Sequence, residues 1–161
     1  YKRRENGLTD YRRRLRMLRG GLPRAVVRVS NTQMTCQVVE YATEGDKVLV
    51  EVKASTLTDK HGWPIDASRK SIPASYLTGF AAGKKAIAAG CDTAILDIGL
   101  AASTKGNRAY AALKGMVDAG LEIPHGEDVL PSEERIMGTH IHESLATAVE
   151  STKKSIEEAH A

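Results

Sequence analysis

The feature that most limits what this chain can fold into is the placement of its charge. Residues 1–28 carry ten basic side chains (Lys2, Arg3, Arg4, Arg12, Arg13, Arg14, Arg16, Arg19, Arg24 and Arg28) against two acids, Glu5 and Asp10. That is a surplus of eight. The other 133 residues carry 13 basic and 18 acidic side chains, a deficit of five, so the net charge of +3 hides a cationic arm on a mildly acidic body. Like charges three and four residues apart on a helix repel. An arm of this kind points to a polyanionic partner that it must reach.

The remainder has the composition of a folded domain. Hydrophobic residues make up 42% of the 161, enough for a core and too many for a disordered chain. No run of about 18 apolar residues is present, so no membrane-spanning helix is expected, and nothing at the N-terminus reads as a secretory signal. Cys36 and Cys91 each sit in an apolar stretch. They are not spaced as CxxC, and they read as buried free thiols.

Periodicity divides the chain into elements. Leu8, Tyr11, Leu15, Leu18 and Leu22 recur at three- and four-residue steps, predicting a helix over 8–19 with Thr9 or Asp10 as its cap and Gly20-Gly21 as its stop. Strands are expected over Ala25–Ser30, Thr35–Tyr41 and Lys47–Ala54, with turns at Asn31-Thr32 and Glu44-Gly45-Asp46. In the third, Val48, Val50 and Val52 should share a face. Residues 56–72, with Gly62-Trp63-Pro64, read as a loop anchored by Trp63. Pro73–Ala89 should be a helix whose small residues, Gly79 and Gly83 among them, let it lie close on a sheet. The apolar run Thr93–Ile98 suggests a strand covered on both faces. A helix is expected over Asn107–Ala119, a loop over 122–139 and a last, partly amphipathic helix over 141–158. The order β-β-β-α-β-α implies an α/β fold, a mixed sheet with helices packed on it. The division is a basic arm (1–22), an α/β core (23–125) and a C-terminal loop and helix (126–161).

Few patterns suggest an enzyme. Asp97 ends the covered strand and Asp92 begins it, which on a ribonuclease-H-like layout could serve a nucleic-acid-processing enzyme. A two-metal nuclease needs several converging carboxylates, and no second one has a clear place beside Asp97. His140-x-His142, with His125 and His160, is the only histidine grouping, and its spacing does not suit a zinc site. Residues 101–108 (AASTKGNR) lack the phosphate-loop pattern, and no GxGxxG follows a strand. No metal or cofactor is expected.

Several segments resemble a known family in order along the chain: TDYRRRL (9–15), LPRAVVRVSN (22–31), QVVEY (37–41), GWP (62–64), PASYLTGFAAGKKA (73–86), AILDIGL (94–100), TKGNRAYAALKGMVDAGLEIPH (104–125) and RIMGTHI (135–141). Together they resemble the archaeal-type branch of the uL18 family, large-subunit ribosomal proteins that bind 5S rRNA. The resemblance implies an α/β fold, a place in the central protuberance of the large subunit in the cytoplasm, and contacts to 5S rRNA, to 23S rRNA and to neighbouring ribosomal proteins, among them another 5S-binding protein. It implies no catalysis and no cofactor.

The residues suit that chemistry. An A-form helix is held mostly through phosphates and 2′-hydroxyls, and guanidinium offers a planar fork for phosphate oxygens. The arm uses Arg at nine of its ten basic positions. The candidate RNA-binding residues are therefore Lys2, Arg3, Arg4, Arg12, Arg13, Arg14, Arg16, Arg19, Arg24 and Arg28. Tyr11 could stack on a base, although its spacing favours the apolar stripe. Ser30 and Asn31 at a strand end are further candidates. So are Thr104, Lys105, Asn107 and Arg108 at a helix start, where free backbone N–H groups favour phosphate, with Asn107 also the natural cap.

Overall fold

The computed structural model describes all 161 residues, Tyr1–Ala161. A four-stranded mixed sheet runs in the order β3-β2-β1-β4, built from β1 (Arg24–Val29), β2 (Met34–Glu40), β3 (Lys47–Lys53) and β4 (Ile95–Asp97). β1 pairs antiparallel with β2, which pairs antiparallel with β3, while β4 lies parallel to β1. The predicted mixed α/β architecture is what forms.

Alternation along the strands divides the sheet into two unlike faces. Ala25, Val27, Met34, Cys36, Val38, Val50 and Val52 belong to the main core. Against them pack α4 (Ile72–Ala88) and α5 (Arg108–Asp118). Arg24, Val26, Arg28, Gln37, Val39 and Val48 instead line a groove on the opposite side. Val48 is 50% exposed and does not continue the Val50–Val52 face. A bulge between Val38 and Val39 shifts the register there, and such a shift moves side chains across the sheet.

The two long helices interlock. An added Cβ on Gly79 would lie 2.1 Å from the Ala112 carbonyl oxygen, and one on Gly115 would lie 2.1 Å from that of Tyr76. Each glycine thus admits the backbone of the other helix. The small residues of α4 were expected to meet the sheet; Gly79 and Gly83 meet α5 instead. Ser71 caps α4 by accepting from the Ala74 N–H, and Pro73 occupies its first turn, where no amide donor is needed.

Three other expectations change. Residues 56–60, expected as loop, and Ala54, expected to end the third strand, belong instead to a short helix, α3 (Ala54–Lys60), which buries Ala54 and Leu57. Its sequence, ASTLTDK, has too few apolar positions to show a helical period. Trp63 behind it is 2% exposed and closes the turn by donating its amide to Leu57 O. The fourth strand is three residues long at the sheet edge, with Ile95 and Leu96 only half-buried. Thr93 leaves the sheet to bridge Glu122. The stretch 122–139 contains a helix, α6 (Glu133–Met137), and a single 3-10 turn, Glu127–Val129.

The last helix, α7 (Ser144–Ala159), buries Val149, Thr152 and Ile156 and packs on α4. The Lys153 ammonium sits 5.1 Å from the Phe80 ring centre and 5.6 Å from that of Tyr76, and donates to the Tyr76 hydroxyl at 3.2 Å. Tyr76 in turn donates to Asp118 at 2.7 Å, so one cluster ties α4, α5 and α7. Cys36 and Cys91 are buried free thiols, and burial pushes Cys36 up to about 12. No helix is long and apolar enough to cross a membrane.

Candidate nucleic-acid interface

The arm forms two helices, α1 (Lys2–Glu5) and α2 (Tyr11–Arg19). Asp10 starts α2 as its cap, accepting from the Arg12 and Arg13 amides at 3.1 Å each. The Arg13 amide bond, against some desolvation, holds the Asp10 carboxyl below the usual range. No residue of α2 is buried. Its predicted apolar stripe is largely uncovered: Leu8, Leu15 and Leu22 are 54%, 53% and 40% exposed. Tyr11 is half-buried and stacks on Tyr1, with ring centres 5.5 Å apart.

Two polar contacts lay α2 over the open sheet face. Arg13 donates to the Gly99 carbonyl at 2.8 Å, and Arg14 grips the Asp46 carboxylate at 2.7 and 2.9 Å. Asp46 is shared with Arg24, and Arg24 continues to Asp97 at 2.7 Å. Arg28 completes the chain, reaching the Asp97 carboxylate at 3.1 Å and its backbone carbonyl at 2.7 Å. The order Arg14–Asp46–Arg24–Asp97–Arg28 thus runs from arm to sheet edge. The Arg14 bond, against some desolvation, holds Asp46 below its ordinary value, and Asp46 raises Arg14 in return. Burial alone would push Asp97 upward, but Arg28, Arg24 and the Gly99 N–H together outweigh it and its pKa falls.

The candidate residues therefore part company. Arg24 is only 4% exposed and is a buried ion-pair residue, so it has no free side chain to offer an RNA phosphate. Its sequence signal was alternation: Arg24, Val26 and Arg28 share one face of β1. Its two partners, Asp46 and Asp97, are 22 and 73 residues away, beyond any local pattern. Asp46, read only as a turn residue, proved to be the tether of the arm. Arg28 is half-exposed but committed to Asp97. Arg14 is partly covered by its ion pair.

The remaining arm cations are free. Of the eight in the first 19 residues, only Arg14 meets a carboxylate. Lys2, Arg3, Arg4, Arg12, Arg13, Arg16 and Arg19 all lie exposed. Arg3 and Arg13 touch only neutral oxygens, of Thr9 and Gly99. Seven uncompensated cations on one short surface form a strongly positive field.

The other candidates lie elsewhere. The Ser30 hydroxyl is spent inside its turn, accepting from the Thr32 and Gln33 amides, while Asn31 is exposed beside it. Asn107 caps α5 through the Tyr110 amide at 2.9 Å. Lys105 pairs with Asp128 at 2.7 Å, and Thr104 and Arg108 are exposed. Asp97 is encircled by guanidiniums, a poor setting for a metal-ligating carboxylate, and no group of three or more His, Cys, Asp or Glu side chains is placed to hold an ion. His142 bonds Ser144, and His140 approaches the Glu134 carbonyl.

A mixed sheet clad in helices on one face and overlaid by a free-cation helix on the other defines an α/β protein built to present positive charge. Sequence comparison gives that class a family. The family described as ribosomal large subunit proteins 60S L5 and 50S L18 matches residues 1–92 and 88–126. The large ribosomal subunit protein uL18 of Korarchaeum cryptofilum is 47% identical over 141 residues, spanning 88% of this chain and 71% of that protein. Its counterpart in Methanoculleus marisnigri is 48% identical over 143 residues, 89% and 80% of the two chains. That of Haloferax volcanii is 45% identical over 142 residues, 88% and 76%. The chain belongs to the uL18 family of large ribosomal subunit proteins.

Proposed function

We propose that this chain is a structural, non-catalytic constituent of the large ribosomal subunit that binds 5S rRNA through its basic arm and helps attach it to 23S rRNA in the central protuberance. Neighbouring ribosomal proteins, another 5S-binding protein among them, complete its surroundings. The observation that carries the reading is the seven arm cations that have no carboxylate of their own. A polyanion satisfies them without displacing any ion pair.

The chemistry follows from their form. Six of the seven are Arg, whose forked donors match phosphate oxygens and whose plane can stack on an unpaired base. Lys2, Arg3, Arg4, Arg12, Arg13, Arg16 and Arg19 act as the phosphate-binding set. Asn31, Thr104, Asn107 and Arg108 supply further polar contacts at strand and helix ends. Arg24 and Arg28 hold the sheet edge to which the arm is tethered, and Arg14 is the tether. Tyr1 and Tyr11 form a stacked pair on which a base could continue the stack.

A gel-shift comparison tests the reading. The chain should retain 5S rRNA at salt concentrations that release an unrelated RNA of equal length, because folded RNA shape adds to the shared phosphate term. Equal release of both RNAs would leave only nonspecific polyanion binding and remove the 5S assignment.

A further inference from the structure

A second cationic site lies away from the arm, in a shallow cavity of about 410 Å³ where three separate segments meet. Lys70 reaches it from the segment before α4, Arg108 from the first turn of α5, and His140 from the segment after α6. Ser68, Ser71 and Asn107 add polar groups, and no carboxylate lines it. The Lys70 amide donates to the Ser68 hydroxyl at 3.3 Å, but neither the Lys70 ammonium nor the Arg108 guanidinium meets a carboxylate or carbonyl of the protein. Lys105, the next cation along, is by contrast neutralised by Asp128. His140 touches only the neutral Glu134 carbonyl. The molecule thus gathers two cations, Lys70 and Arg108, and the His140 imidazole from positions up to 70 residues apart, with no carboxylate among them. The openings of α4 and α5 face the same cavity and add to its positive potential.

Basic side chains that serve solubility stand apart from one another in water, because mutual repulsion spreads them. The Ser71 hydroxyl and the Asn107 amide are committed to capping and turn bonds, so the two unpaired cations are what suit the concavity to an oxyanion with several acceptor oxygens. The cavity is open and shallow, which admits one phosphate of a continuing strand. We propose that Lys70, Arg108 and His140 form a backbone-phosphate seat for ribosomal RNA, separate from the arm. The proposal rests on the reading of the chain as an rRNA-binding protein, and it adds Lys70 and His140 to the residues that perform that role.

The test compares charge reversals in the full chain, with 5S and 23S rRNA transcripts as separate probes. Lys70→Glu should weaken binding to at least one of them by about tenfold, and the milder Lys70→Gln should lower the log–log salt slope by about one. Lys154→Glu, an equal change of net charge on α7, should weaken binding less than about threefold. Equal weakening by Lys70→Glu and Lys154→Glu on both probes, with Lys70→Gln leaving both slopes unchanged, overturns the phosphate seat. A chain lacking residues 1–20 separates the two ideas. If its slope matches that of the full chain while Lys70→Glu still weakens binding tenfold, the arm reading fails and the seat stands.

Discussion

The α4–α5 pair and the α2 arm are both helical, and opposite forces hold them. In α4–α5 the backbones touch through Gly79 and Gly115, and Leu77, Ala82, Ala112, Leu113 and Met116 are fully buried. In α2 nothing is buried, and attachment depends on Arg13, Arg14 and the cap at Asp10. Packing makes one helix pair self-sufficient. The other is only positioned by the protein and left with its charge unsatisfied.

The sharpest way to break that contrast is at the joint between the two regions. Asp97→Ala should destabilise the fold by about 3–5 kcal/mol in urea denaturation, because it leaves the buried Arg24 guanidinium without one of its two carboxylates. Next is the packed region itself. Gly115→Ala should cost about 1–3 kcal/mol, since the new Cβ meets Tyr76 backbone that cannot swing aside.

A smaller effect concerns pH. The folded-state pKa of Asp97 is lowered, so its contribution is present above the unfolded value of about 4 and disappears as pH falls through the folded one. Acid titration of Asp97→Asn should therefore show a shallower stability loss below about pH 4 than the parent chain. Arg14→Ala should cost less than about 1 kcal/mol, because its ion pair is partly solvent-exposed. It should also loosen α2, visible as faster amide exchange in residues 11–19. Smallest in stability is the triple change Arg12→Gln, Arg16→Gln, Arg19→Gln, within about 0.5 kcal/mol of the parent by thermal melting. Its effect belongs to RNA, where the salt slope should fall by about two to three.

The same division explains what the sequence revealed. Pro73 and Gly90 placed α4 within a residue of its ends, and Asn107 and Gly120 did the same for α5; β-branched runs and turn residues found β1 and β2, and alternation found β3. These features are local, and burial enforces them. The helix at Ala54–Lys60 escaped because its period is carried by two buried residues only. The fate of Arg24 escaped because charge repeats along a sequence look alike whether they face water or a carboxylate 73 residues away. Asp46 escaped because a turn acid needs no further reason to be there. The free cations of the arm were legible from the near-absence of acids among them. The cavity at Lys70, Arg108 and His140 was not, since its members come from three segments that only the tertiary fold unites.

The proposed role requires that the arm cations without internal partners be what meets rRNA. The direct measurement is the salt dependence of 5S rRNA affinity for the full chain and for a chain lacking residues 1–20. If the arm neutralises about six phosphates, the full chain should give a log–log slope on the order of −4 to −5. The truncated chain should keep its circular dichroism signature as an α/β fold and lose most of that slope. Identical slopes for the two folded chains would show that the arm does not carry the RNA contacts.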